Sequence, residues 1–150
     1  MDRVLLTVAI VAVAVAVAVV LQRRRPDAPT QAAWTVPAQL DRRDFARPDT
    51  DWLVVAFTSA TCDTCATVKE KVALLESPAV AVHDAEAVAD KALHDRYGID
   101  AVPTLVIADR EGVVVASFVG PVTAADLWAT MADLREPGSV PPGCDHGQPA

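Results

Sequence analysis

The sequence predicts an α/β domain, a mixed sheet flanked by helices, standing behind one N-terminal transmembrane helix. Three observations carry this expectation. Val4 to Leu21 is an 18-residue run of Val, Ala, Leu and Ile interrupted only by Thr7. Beyond it, short β-branched runs alternate with helical patterns in the order β-α-β-α-β-β-α, which implies a parallel portion and a terminal hairpin. Two cysteines, Cys62 and Cys65, stand where the first long apolar strand passes into the first helical pattern.

As a helix, 18 residues span about 27 Å, close to the roughly 30 Å hydrocarbon core of a bilayer. The Val-Ala alternation also suits a strand, but the run has no polar face and no turn signal. A cleaved signal peptide is the competing reading. It fits less well, because Arg23, Arg24 and Arg25 follow the apolar run instead of preceding it. The same three arginines outweigh Arg3 at the other end, which Asp2 offsets. The excess of positive charge therefore predicts that the domain faces the cytoplasm, with an extracytoplasmic orientation as the alternative. Residues 22–33 read as a linker, 34–136 as the folded domain, and the Pro- and Gly-rich residues 137–150 as a disordered tail.

Within the domain, Ala33 to Leu40 suggests a first edge strand, and Asp41 to Pro48 a short helix containing Phe45. Trp52 to Thr58 is a buried strand. The next helix is expected over about 62–76, with Thr61 as N-cap and Val68, Val72 and Leu75 inward. Ser77-Pro78 stops it, and Ala79 to Val82 reads as a strand ending at His83-Asp84. Ala87 to Tyr97 follows as a helix with Val88, Ala92 and Leu93 inward, closed by Gly98. Thr104 to Ala108 and Val113 to Val119 form strands around the turn at Asp109 to Gly112. Thr123 caps a last helix through Leu127, Met131 and Leu134.

The formal charge is −7. From Asp27 onward nine basic residues face nineteen acidic ones, a balance of −10. So acidic a domain repels phosphate backbones, which argues against nucleic-acid binding. Three cysteines are too few for a disulfide scaffold, and a CxxC pair in a βα setting reads as redox. At the start of a helix, Cys62 meets the positive end of the helix dipole, which favours its thiolate. It suits the role of nucleophile, with Cys65 one turn on as the resolving thiol. Two other readings stay open at this point: incidental thiols, and a Cys₃His zinc set of Cys62, Cys65, Cys144 and His146 whose second half lies in the tail. His83 and His94 are expected at a strand end and on a helix surface. Trp34, Trp52 and Trp128 are expected in the core or at an interface.

The strand before Cys62-Asp63-Thr64-Cys65, the Ala101-Val102-Pro103-Thr104 segment opening another strand, and Gly120 before the last helix together resemble the thioredoxin family over residues 52 to about 134. The resemblance implies a thioredoxin fold and dithiol–disulfide exchange with protein partners, with a separate reductase recharging the pair and no further cofactor or metal. It also implies a cis bond between Val102 and Pro103 facing the cysteines. The Val102 backbone would then be free to pair with an extended substrate, and Gly120 would let that substrate approach. Departures are specific. Asp63-Thr64 replaces the Gly-Pro of ordinary thioredoxins, Thr61 their Trp, and Ala56 a buried Asp. A carboxylate beside Cys62 opposes thiolate formation, so a reductant or mid-range exchanger is expected rather than a strong oxidant. Alternatives to a membrane-anchored oxidoreductase are an outward-facing cytochrome-maturation or disulfide-repair thioredoxin, and a non-catalytic adaptor.

Overall fold

The computed structural model describes residues 34–139. The predicted span at 4–21, the linker at 22–33 and tail residues 140–150 lie outside the described residues. Among those described, no helix is long and apolar enough to cross a membrane.

The elements are β1 (Trp52–Thr58), α1 (Cys65–Ala73), β2 (Val80–Glu86), α2 (Lys91–Tyr97), β3 (Thr104–Ala108), β4 (Val114–Val119) and α3 (Ala124–Arg135). The sheet order is β2-β1-β3-β4. β1 runs parallel to β2 and antiparallel to β3, and β3 is antiparallel to β4. The predicted order of elements, with its parallel portion and terminal hairpin, is the observed one.

Why β1 is so apolar follows from its place. It is an inner strand covered on both faces, which calls for a continuous apolar run rather than alternation. Val54 and Ala56 join Leu105 and Ile107 beneath Val68 and Val72 of α1 and Leu127 and Met131 of α3. Leu53, Val55 and Phe57 face the other way, with Val106 and Ala108, onto Leu40, Phe45 and Tyr97. Thr123 caps α3 as expected, its side chain accepting from the Asp126 N–H. α2 ends at Gly98 in the left-handed conformation.

Five expectations need correction. The edge strand over Ala33 to Leu40 is reduced, within the described residues, to one bridge between Gln39 and Val113, and the predicted helix at 41–48 to a 3-10 turn at Arg42–Asp44. Arg42 holds this segment by side-chain bonds to the Pro48, Thr50 and Asp109 carbonyls, so side chains do the work a ladder would have done. β2 runs on to Glu86, because its ladder with β1 continues to the pair Thr58–Glu86. α2 begins at Lys91 rather than Ala87. The Glu86 carboxylate takes the N–H groups of Val88 and Ala89 at 2.8 and 2.9 Å, which holds that stretch as a turn and leaves Val88 83% exposed. His94 is buried, not on the surface, with Nε2 2.9 Å from the Ala85 carbonyl oxygen and its ring edge-on to Phe57. Of the three tryptophans, Trp52 packs on the core, while Trp34 and Trp128 are exposed.

Candidate active site

The register of the sheet brings every predicted site residue to one end. β1 leaves the sheet at Thr58, where β2 leaves at Glu86. Phe57 pairs with Thr104, the first residue of β3, and Thr104 with Val119, the last of β4. The cysteine loop, the Val102-Pro103 segment and Gly120 therefore all emerge from the same edge.

The cysteine loop is built by Ser59. Its carbonyl accepts from the Cys62 N–H at 3.1 Å, and its hydroxyl accepts from the Thr61 N–H at 3.3 Å. Thr61 Oγ1 lies 3.1 Å from that hydroxyl, so Thr61 belongs to this turn and does not cap a helix. The N-cap is Thr64, without a side-chain cap bond, and the helix proper runs Cys65–Ala73. Cys62 thus stands one turn ahead of the helix, its carbonyl accepting from the Cys65 N–H at 3.2 Å. The helix dipole therefore favours its thiolate less than the sequence implies, since the effect falls off beyond the terminal turn.

Cys62 and Cys65 are joined in a disulfide with Cα atoms 5.4 Å apart. Their exposure differs: Cys62 is half-buried, whereas Cys65 is only 2% exposed. The Thr64 hydroxyl lies 3.6 Å from Cys62 Sγ. The Val102–Pro103 bond is cis. Pro103 is buried and Val102 half-buried. The Pro103 carbonyl accepts from the Gly120 N–H at 2.7 Å, which joins the two loops that border the site. Gly120 has φ +94, with open space where a Cβ would stand. Pro103 has no N–H, so it brings no amide donor to this edge.

Two supports were not singled out from the sequence. The Glu86 carboxylate accepts the Ala60 N–H at 3.1 Å as well as those of Val88 and Ala89, tying the cysteine loop to the turn after β2. These three backbone donors hold its pKa below the ordinary value. Beside Ala56 in the ladder stands Asp84. Its Oδ1 accepts from the Thr58 hydroxyl at 2.6 Å, and its Oδ2 lies 2.5 Å from Lys69 Nζ. The hydrogen bond and charge of Asp84 raise the Lys69 pKa. Only the i, i+4 spacing of Cys65 and Lys69 hinted at this from sequence; the cross-strand partner did not.

Among the described residues no cluster of His, Cys, Asp or Glu is arranged to hold a metal ion. Cys144 and His146 of the postulated zinc set lie outside those residues.

The family described as thioredoxin-like domain matches residues 41–135. A variant thioredoxin from Halobacterium salinarum is 26% identical, covers 71% of this chain and 91% of its own, and superposes with a TM-score of 0.52. Thioredoxin O2 from Arabidopsis thaliana, in its oxidised state, is 27% identical over 59% of this chain and 79% of its own, with a TM-score of 0.49. No curated protein matches the chain. The family match takes in the whole sheet, the cysteine loop and the cis proline: the chain belongs to the thioredoxin-like domain family and is a thiol–disulfide oxidoreductase.

Proposed function

We infer that the chain is a membrane-anchored oxidoreductase that reduces disulfides of protein partners, held to the bilayer by residues 4–21 with its domain toward the cytoplasm. The observation that carries the chemical part is the difference in exposure within one cysteine pair. A partner can reach Cys62, whereas Cys65 is sealed behind it. In the reduced protein the Cys62 thiolate attacks one sulfur of the partner's disulfide and displaces the other as a thiolate. Cys65 then attacks Cys62 Sγ, the bond to the partner breaks, and the Cys62–Cys65 disulfide forms. The partner gains two electrons and the pair loses two; a separate reductase returns them. Val102, Pro103 and Gly120 border the path of an extended substrate segment, with the Val102 backbone as its pairing edge. Asp63, exposed beside the nucleophile, supports a reducing or mid-range role; a potential near about −120 mV, in the range of the strongest oxidants, would contradict it.

The test is capture by Cys65→Ser in the full-length, membrane-bound chain. Mixed disulfides with partners should survive acid quenching and disappear in Cys62→Ser. Their compartment reports the side on which the domain lies: exported partners would overturn the cytoplasmic orientation and favour an outward-facing repair or maturation role. The absence of Cys62-dependent adducts, with and without oxidant, would favour an adaptor, a reading that Thr61 and Ala56 in place of the familiar Trp and Asp keep alive.

A further inference from the structure

The exchange described above, on which this inference rests, leaves one proton unaccounted for. Cys65 must become a thiolate to attack, yet it is only 2% exposed. Burial favours the neutral thiol. On β1, beneath the helix that Cys65 opens, the inward position packed against Val68 and Val72 is Ala56, which is 1% exposed and supplies no base.

The adjacent strand does. In a parallel ladder, paired residues point to the same face, and Ala56 pairs with Asp84. Ala56 packs under α1 against Val68 and Val72, so the Asp84 carboxylate rises on the side that α1 covers. Two contacts fix it there: Thr58 Oγ1 at 2.6 Å, on the last residue of β1, and Lys69 Nζ at 2.5 Å. Lys69 is four residues after Cys65, hence its neighbour on the same helix face. A helical side chain lies over the turn that precedes its own Cα, so Lys69 reaches back toward Cys65. The side chain of Asp84 is 33% exposed, which gives it exchange with water that the thiol lacks.

We propose that Asp84, held by Lys69 and Thr58, is the acceptor for the Cys65 proton in the resolving step, an acid placed one strand over from Ala56. The Cys65 S–H gives its proton to the carboxylate, directly or across one water, and the thiolate so formed attacks Cys62 Sγ. The Cys62–partner bond breaks as the Cys62–Cys65 bond forms. The departing partner thiolate takes up a proton, from Asp84 or from water, and the carboxylate is restored. Other charges near the acceptor are Lys69 on α1 and Glu86, two residues along its own strand. Glu86 is committed to three backbone donors.

The test uses the full-length reduced chain in detergent with Cys144→Ser, and 5,5′-dithiobis(2-nitrobenzoate) as the disulfide. The first chromophore is released by attack of Cys62, at a rate proportional to reagent. The second is released by Cys65, at a rate independent of reagent. Asp84→Asn should slow the second phase at least about tenfold below pH 7, a modest share of the 10²–10⁴-fold typical of proton transfer catalysis. The first phase should stay within about twofold. The deficit should close as pH rises past the ordinary thiol range near about 8.5, where hydroxide removes the proton unaided. Asp84→Glu should recover part of the rate. Lys69→Met, which breaks the same ion pair but keeps the carboxylate on its Thr58 bond, should slow the second phase clearly less than Asp84→Asn does. Equal slowing by Lys69→Met and Asp84→Asn, a pH-independent deficit, or an unchanged second phase would overturn the inference alone. No Cys62-dependent first phase in the parent chain would overturn the oxidoreductase reading beneath it.

Discussion

Arg42 offers a separation of stability from chemistry. Its side chain is buried, 8% exposed, under the end of the sheet away from the cysteines. Nε donates to the Pro48 carbonyl at 3.2 Å and Nη1 to the Asp109 carbonyl at 3.0 Å. Nη2 donates to the Thr50 carbonyl and hydroxyl, both at 2.8 Å. Arg42→Met keeps the length and apolar stem but removes every donor. The Thr50 hydroxyl retains bonds to the Arg47 and Trp52 carbonyls, so the loss falls on three carbonyls. An acceptor deprived of its partner costs about 1–3 kcal/mol, and these border solvent, so the low end applies: about 3 kcal/mol in all. For a domain of about 100 residues, that is a fall of about 12–24 °C in melting temperature. Far-UV circular dichroism melts of the oxidised chain in detergent measure it. Disulfide exchange at 25 °C should stay within about twofold of the parent, because the substitution touches nothing at the Cys62 end. A fall under about 4 °C would refute the accounting. Loss of exchange in a chain that melts normally would refute the separation.

Three further outcomes follow from the site and its supports. Because three backbone donors hold the Glu86 pKa below the ordinary 4.5, its clamp is fully present above that pH and is lost as pH falls below it; amide exchange at Ala60, Val88 and Ala89, corrected for intrinsic rates, should quicken at pH 3 relative to pH 6, and pH-independent protection would contradict this. Thr64→Val removes the hydroxyl 3.6 Å from Cys62 Sγ; a bond of about 1 kcal/mol to the thiolate makes alkylation of Cys62 by iodoacetamide about fivefold slower at pH 7, and an unchanged rate would show that the hydroxyl does not serve the thiolate. Gly112 has φ +82, and a Cβ there would run into the Leu40 carbonyl oxygen, so Gly112→Ala should cost more than about 1 kcal/mol in urea unfolding, with a neutral result counting against the turn geometry.

What could be read from the chain divides along physical lines. Trp52–Thr58, Thr104–Ala108 and the caps at Thr123 and Gly98 were legible because burial and capping leave local composition as their trace. The cysteine pair and Val102-Pro103 were legible from motif and resemblance. The errors share another cause. Asp84 and Glu86 look like the end of a strand, yet their side chains serve Lys69, Thr58 and the loop amides. Their polarity records partners distant in sequence, which local composition cannot encode. The same holds for Val88, which sits at helical spacing but in a turn that Glu86 fixes, and for Arg42, whose polarity hides a buried staple. Thr61 was misassigned because Ser59, two residues earlier, competes for the same turn.

Cys62 lies outside α1, and this sets how far a change of oxidation state can spread. Every intrahelical bond from Cys65 onward is made without its backbone N–H. When the sulfurs part, the nucleophile can pivot on the Ser59 turn while the helix behind it keeps its footing. The protein can thus signal its redox state to a partner mainly through five or so residues of surface loop. Oxidised and reduced forms should share the same backbone amide chemical shifts along β1, β3 and the body of α1. The differences should concentrate at Ala60 to Cys65. Recognition that distinguishes the two forms must therefore read this rim directly.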